Sequence, residues 1–209
     1  MTLARQINKA TIANIARNNF AIKLQSMQPM DSMVESDNSL VLDFDTNVKT
    51  YITQPDSFLN TNNEPGWRRY TPDLCIEYQD GTYEFAEVKP KSKTLSDKFK
   101  SKFAMHSRIV LERTGCNLKL LTEPEMSVMR LNQFRQLKAY YRFQLVSDVS
   151  TAVINYLSKT GEATLSALDE ICSRFDVETY YPMIMLAHQE IRCVTDDIIT
   201  RASRVEVAA

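Results

Sequence analysis

The chain has 209 residues, 44% of them hydrophobic and 24% charged, with 25 basic and 26 acidic side chains. These proportions belong to a folded globular protein and exclude disordered, collagen-like and coiled-coil chains. The length suits one domain of about 140 residues plus a smaller second one. Only four glycines are present, which argues against an all-β sandwich full of tight turns. No stretch approaches the roughly 18 uncharged apolar residues of a membrane span, and the first twenty residues lack the apolar core of a secretion signal. Cys75, Cys116, Cys172 and Cys193 are far apart and form no Cys-x-x-Cys pair. They read as reduced thiols of a cytoplasmic protein, with neither a zinc site nor a disulfide framework.

The net charge of −1 hides a pattern. Residues 1–30 carry +4 with no acid, residues 31–64 carry −6, residues 65–142 carry +6 and residues 143–209 carry −5. A polyanion would bind the N-terminal arm and the middle of the chain, not its last third.

Residues 1–24 read as a short basic helix or arm. Residues 31–44 place Val34, Leu40, Val41 and Phe44 at helical spacing, and residues 47–53 alternate as a strand does. Residues 56–67 are polar and proline-flanked, and read as a loop. Two β-rich runs then flank Gln79-Asp80-Gly81, which is hairpin punctuation. Beyond Pro90, Thr94 with Asp97 resembles a capping box that opens a helix. Leu95, Phe99, Phe103 and Val110 mark its apolar face, and Gly115 ends it. Residues 117–122 form a short strand, and residues 124–142 a helix or helix pair. This order indicates an α/β domain with a mixed sheet. Residues 152–157, 165–175 and 178–189 are three helical patterns, followed by short strands at 191–195 and 204–207. Three helices and a two-stranded wing describe a winged-helix module.

Register turns the hairpin into a chemical statement. With a three-residue loop Gln79-Asp80-Gly81, Tyr78 pairs with Thr82, every pair of numbers adds to 160, and Asp73 falls opposite Glu87. Side chains alternate with period two, so Lys89 shares the face of Glu87. A two-residue loop would put Asp73 on the opposite face. Two adjacent carboxylates repel each other unless a cation lies between them. Oxygen ligands of this kind suit Mg²⁺, with Mn²⁺ as a substitute. A metal there polarises a phosphate and lowers the pKa of an attacking water, while the lysine stabilises developing negative charge. The plainer reading is a set of cross-strand ion pairs contributing about 0.2–1 kcal/mol each. The basic run that follows, Lys89, Lys91, Lys93, Lys98, Lys100 and Lys102 with only Asp97 among them, favours a site that approaches a phosphate backbone.

Pro72-Asp73 with Glu87-Val88-Lys89 resembles the restriction-endonuclease-like nucleases. The flanks narrow the resemblance: Val34-Glu35, Asp43-Phe44-Asp45, Val48, Tyr51, Gln54-Pro55, Tyr70-Thr71-Pro72-Asp73 and Glu87-Val88-Lys89-Pro90 are similar to the TnsA-type transposon endonucleases. Leu121-Thr122-Glu123, Asn132, Leu137 and Tyr141-Arg142 extend the similarity to about residue 142. The resemblance implies a restriction-endonuclease-like mixed sheet flanked by helices over residues 1–142, and a partner-binding winged helix over 143–209. It implies a bacterial, Mg²⁺-dependent enzyme that cuts double-stranded DNA at the 5′ side of transposon ends. A separate transposase cuts and joins the 3′ side. Glu35, Asp73 and Glu87 become the metal-binding acids and Lys89 the catalytic lysine, with Asp37 the nearest competitor of Glu35. The family's usual Glu before Phe-Asp is Asp43 here. The implied partners are transposon-end DNA, the transposase and, through the acidic C-terminal domain, a transposition ATPase.

Arg68, Arg69, Lys91, Lys93, Lys98 and Lys102 are the candidate phosphate contacts. Trp67 reads as a packing residue, and His106 and His188 as structural ones. Met27, Met30 and Met33 read as apolar filler, and Tyr140, Tyr141 and Phe143 as an aromatic anchor. No Gly-rich phosphate loop is present. Two competing readings are a standalone restriction or junction-cleaving nuclease and a winged-helix DNA-binding protein on an inactive nuclease-like platform. The flanking motifs count against the first, and the Asp73, Glu87, Lys89 set against the second.

Overall fold

The computed structural model describes residues 17–60 and 65–208. The chain divides into two compact units, Met1–Glu125 and Met126–Ala209.

In the first unit, β1 (Arg17–Ala21) and β2 (Ser26–Met30) form an antiparallel hairpin. The expected basic arm falls partly here. Residues 1–16 lie outside the described residues, and 17–21 are a strand rather than a helix because Ala21, Ile22 and Met30 bury against the core. Met27 and Met33 remain exposed, so only Met30 of the three fills a gap. Helix α1 (Met33–Phe44) starts at Ser32, whose Oγ accepts from Glu35 N at 3.2 Å and donates to Glu35 Oε1 at 3.0 Å. That is a capping box, with Ser at the cap and Glu three residues on.

β3 (Val48–Thr53) follows. Within the expected loop, β4 (Phe58–Leu59) pairs with β5 (Arg69–Tyr70) as a short ribbon. β6 (Leu74–Tyr78) and β7 (Tyr83–Val88) are the expected hairpin. A 3-10 turn (Lys91–Lys93) leads to α2 (Asp97–Thr114), capped by Ser96 and ended by Gly115 in the left-handed conformation. The cap is Ser96 and not Thr94, which instead closes the 3-10 turn. Leu95 lies outside the helix and is 66% exposed, while Ile109 and Val110 carry the buried face. β8 (Leu118–Leu121) completes a four-stranded sheet in the order β3-β6-β7-β8. The first three strands are antiparallel, and β8 runs parallel to β7. Parallel neighbours need a long crossover, which α2 supplies.

Alternation assigns the two faces. Tyr51, Leu74, Ile76, Ala86 and Val88 pack with Leu42 of α1 and Ala21 of β1. The other face gathers Tyr70, Val110 and Leu118, with Phe58, Trp67, Phe85 and Phe103 packed against them.

The second unit contains α3 (Val128–Leu137), α4 (Ser147–Thr160), β9 (Ala163–Thr164), α5 (Leu165–Cys172), α6 (Tyr181–Ala187), β10 (Ile191–Cys193) and β11 (Arg204–Val207). Its three strands form an antiparallel sheet in the order β10-β11-β9. The division falls before α3 rather than at residue 142. Buried Gln133 explains this: its Nε2 donates to Thr195 O at 2.8 Å and to Asp197 O at 2.6 Å. Gln136 pairs both its amide atoms with the backbone of Ile199. Residues 126–209 hold nine bases and ten acids, net −1, because α3 and its sequel add Arg130, Arg135, Lys138 and Arg142. Tyr140 and Phe143 pack on Tyr180, and Tyr141 stacks on His188, whose Nε2 lies 2.8 Å from Phe143 O. All four cysteines carry free thiols. Among the described residues no helix is long and apolar enough to cross a membrane.

One buried cluster holds α1 to the sheet. Tyr51, fully buried, lies with its hydroxyl 2.6 Å from Ser39 Oγ and donates to Asp43 Oδ1 at 2.9 Å. The Tyr51→Phe protein should lose about 1–3 kcal/mol in urea unfolding, because Asp43 is buried and loses a donor. An unchanged midpoint would show that this contact does not hold the helix.

Candidate active site

The hairpin loop sets the site. Gly81 N donates to Tyr78 O at 3.0 Å and Tyr78 N to Thr82 O at 2.9 Å. Gly81 has φ 83°, a conformation that side chains disfavour. The ladder then runs Glu77 with Tyr83, Ile76 with Glu84, Cys75 with Phe85 and Leu74 with Ala86, the register expected of a three-residue loop. Asp73 enters one step beyond, where its N–H donates to Ala86 O at 3.0 Å. Its Oδ2 accepts from Val88 N at 2.8 Å.

Asp73 and Glu87 meet at one cation. Lys89 Nζ lies 2.9 Å from Asp73 Oδ2 and 3.0 Å from Glu87 Oε1, and donates to Val88 O at 2.9 Å. An ammonium has three protons, and three acceptors take them. The main chain of Lys89 is pinned as well, its N–H donating to Leu121 O at 2.9 Å. Burial opposes the charge on Lys89, but the two carboxylates outweigh it and hold its pKa above the ordinary lysine value. Burial and the nearby charge of Glu87 push the Asp73 carboxyl up, against the pull of Lys89.

Tyr70 and His106 brace Glu87. Tyr70 Oη donates to Glu87 Oε2 at 2.8 Å. The Tyr70 ring stacks on the His106 imidazole with centroids 3.6 Å apart. Burial, then the charges of Lys102 and Lys89, depress the His106 pKa to about 4. The ring is therefore a neutral stacking partner at neutral pH, in keeping with the structural reading of this histidine. Trp67 packs in the same apolar cluster.

Glu35 arrives from the helix on the other face of the sheet. Its carboxylate accepts from Ser32 Oγ and from Asp31 N at 2.9 Å. Burial raises its pKa, and the charge of Asp73 adds to the rise. Asp37, two residues further along α1, points about 200° away around the helix. The local sequence signal for this placement is Ser32-x-x-Glu35. Nothing in the sequence announced the Tyr70–His106 stack, which joins residues 36 positions apart.

Asp73 and Glu87 form a pair of carboxylates of the kind that suits a hard divalent cation. Two carboxylates already share one cationic group, the Lys89 ammonium, and burial and mutual repulsion disfavour the charges of Asp73 and Glu35. Among the described residues no three acidic, histidine or cysteine side chains are drawn together closely enough to form a metal cluster. Arg68, Arg69, Lys91, Lys93, Lys98 and Lys102 are exposed in the same unit. Lys98, Lys102 and His106 stand four residues apart on α2, so they share a face. Because Lys102 and Lys89 both act on His106, that face runs towards the carboxylates.

The raised pKa of Glu35 has a consequence for stability. The folded protein holds this proton to higher pH than the unfolded chain, so stability falls as pH rises from about 4.5, the ordinary Glu value, through the folded value. In the presence of EDTA, Glu35→Gln should be more stable than the unaltered protein at pH 8, and the gain should vanish in acid. Urea unfolding at both pH values checks this, and an equal gain at both would separate it from the carboxylate charge.

Residues 45–123 match the family model described as TnsA-like endonuclease N terminal. No curated protein matches the chain. The matched segment holds the whole four-stranded sheet with Asp73, Glu87 and Lys89, whereas Glu35 lies before it and the second unit after it. Over this sheet and its site, the chain is similar to TnsA-like endonuclease N-terminal domains.

Proposed function

We propose that the protein is a metal-dependent DNA endonuclease that cuts the 5′ side of transposon ends while a separate transposase cuts and joins the 3′ side. The observation that carries this reading is the single ammonium shared by Asp73 and Glu87. An inactive platform would have no need to gather a partly buried lysine and two carboxylates, a set that costs desolvation.

Asp73, Glu87 and Glu35 are the residues that would hold Mg²⁺, or Mn²⁺ in its place. When bound, such an ion supplies polarisation of the phosphate and a lowered pKa for water. Lys89 keeps its ammonium charged and aimed at the carboxylate pair, where negative charge builds on the phosphate oxygens in the transition state. Tyr70 occupies Glu87 Oε2, which leaves Oε1 turned to Lys89. Lys91, Lys93, Lys98, Lys102, Arg68 and Arg69 hold the DNA backbone through its phosphates.

The second unit is read as a winged helix. The order α4-β9-α5-α6-β10-β11, with its three-stranded antiparallel sheet, supports this reading. Its proposed partner is the transposition ATPase, met by the region of α6 and the chain beyond Ile191. The acids that precede α6, Asp176 and Glu178, favour a basic protein surface as the partner.

The test is strand-specific cleavage of a duplex transposon end with Mg²⁺, with and without the transposase. Asp73→Ala should lose 5′-strand cleavage while folding normally. Lys89→Ala should fall about 10²–10³-fold in rate, the loss typical of one transition-state donor. The 3′ cut and joining should survive in both, leaving joined products still attached to the donor DNA. Normal 5′ cleavage by Asp73→Ala would overturn this site. Full 5′ cleavage without any partner would favour a standalone nuclease.

The docking role has its own check. Replacing Asp176 and Glu178, which precede α6, by lysine should weaken capture of the ATPase and leave the urea midpoint of the protein unchanged. Undiminished capture would remove the charge argument.

A further inference from the structure

The turn that follows Lys89 is held from both ends. Lys93 N donates to Pro90 O at 2.8 Å, and Thr94 closes the turn by donating from its N and its Oγ1 to Lys91 O, at 3.1 and 2.8 Å. The other hold comes from 32 positions away, where Glu123 Oε2 accepts from Lys91 N at 2.9 Å. That N–H is the leading cause that keeps the Glu123 carboxyl below the ordinary Glu value. Glu123 is therefore turned to the main chain of the turn.

The stretch that carries Glu123 is itself anchored. It directly follows β8, whose Leu121 O accepts from Lys89 N at 2.9 Å. Thr122 O accepts at 2.7 Å from Nδ2 of Asn38, a buried residue of α1 that also donates to Val34 O at 2.8 Å. The main chain at Lys89 and at Lys91 thus hangs on one short stretch, residues 121–123, tied to the helix that supplies Glu35. The result is a fixed turn directly beyond Lys89, with the side chains of Lys91 and Lys93 exposed.

We propose that Glu123 is a positioning residue for the DNA substrate: by accepting from Lys91 N it sets the turn so that Lys91 and Lys93 meet backbone phosphates next to the one that Lys89 faces. The inference rests on the nuclease reading above and gives a role to an acid which that reading leaves unused. An acid on a phosphate-binding surface repels DNA, so by charge alone Glu123 is misplaced. Its hydrogen bond offsets this. Lysines on a loose loop must be ordered when the duplex binds, and a turn fixed beforehand removes that cost. Phosphate contacts set the position of the duplex, so a fixed turn also sets which phosphate comes to Lys89.

Charge and positioning predict opposite signs for one substitution. Glu123→Ala removes an acid, so relief of repulsion alone would tighten DNA binding. Loss of the turn would weaken it. Binding of the full-length protein to a duplex transposon end is followed by fluorescence anisotropy in EDTA at fixed salt, cleavage with Mg²⁺ and the transposase gives KM and kcat, and urea unfolding gives stability. Glu123→Ala should bind the duplex about 3-fold or more weakly. Its KM should rise by a similar factor, kcat should change less, and the urea midpoint should hold. Glu123→Gln keeps an acceptor at the same reach and should bind at least as tightly as the unaltered protein. Equal or tighter binding by Glu123→Ala would make Glu123 an ordinary surface acid and overturn the proposal, as would equal weakening of both variants. If Glu123→Ala does not fold, Glu123→Asp takes its place under the same criteria, its charge kept and its reach one methylene short. An unaltered protein that neither binds nor cuts the duplex would sink the nuclease reading itself, which is distinct from failure at Glu123 alone.

Discussion

The ammonium of Lys89, held between Asp73 and Glu87, is the contact on which the first unit converges. It exists only if two strands keep one register, because a slip of one residue would turn Asp73 to the other face. It also needs the end of β7 to be fixed, and the N–H of Lys89 is fixed by Leu121 at the end of the parallel strand β8. That strand can lie beside β7 only through the α2 crossover. The same helix brings His106 under Tyr70, and Tyr70 fixes the far oxygen of Glu87. Ribbon, hairpin, crossover helix and edge strand are thus all required for a single carboxylate–lysine contact.

The site is electrostatically expensive in a directional way. Two carboxylates, those of Asp73 and Glu87, contact one lysine, and burial raises the pKa values of Asp73 and Glu35. Such burial is unfavourable to the charged carboxylates. Under the nuclease reading, added positive charge relieves it, which joins the stability of the site to its occupancy.

The second unit changes how charge along the chain is understood. Counted from residue 143 it is strongly acidic, but α3 belongs with it, and the basic residues from Arg130 to Arg142 bring its balance to −1. Net charge then discriminates little between a protein and a nucleic-acid partner, and the placement of charges on particular elements decides instead. Asp169 with Arg201, Glu206 with Arg192 and Glu162 with Arg204 are already paired within the unit. The acids around α6, Asp176 and Glu178, are therefore the more informative ones.

The amino-acid sequence by itself determined the hairpin, its register and the convergence of Asp73, Glu87 and Lys89. These follow from one loop length, one glycine and the alternation of a strand, all of which are local. It also determined the course of β3, α2 and β8, because apolar spacing and the Gly115 stop are local signals too. The tertiary structure decided the rest. Ser96 rather than Thr94 caps α2, because the chain uses Thr94 to close a preceding turn. Glu35 lies near enough to Asp73 for their charges to interact, and the cap at Ser32 holds its carboxylate. Leu59 and Arg69 pair across a polar loop that has no strand pattern of its own. The helix α3 joins the second unit through Gln133, a polar residue whose burial depends on two carbonyls more than sixty positions away. Such contacts join residues distant in sequence, and packing chooses them only when the whole chain is in place.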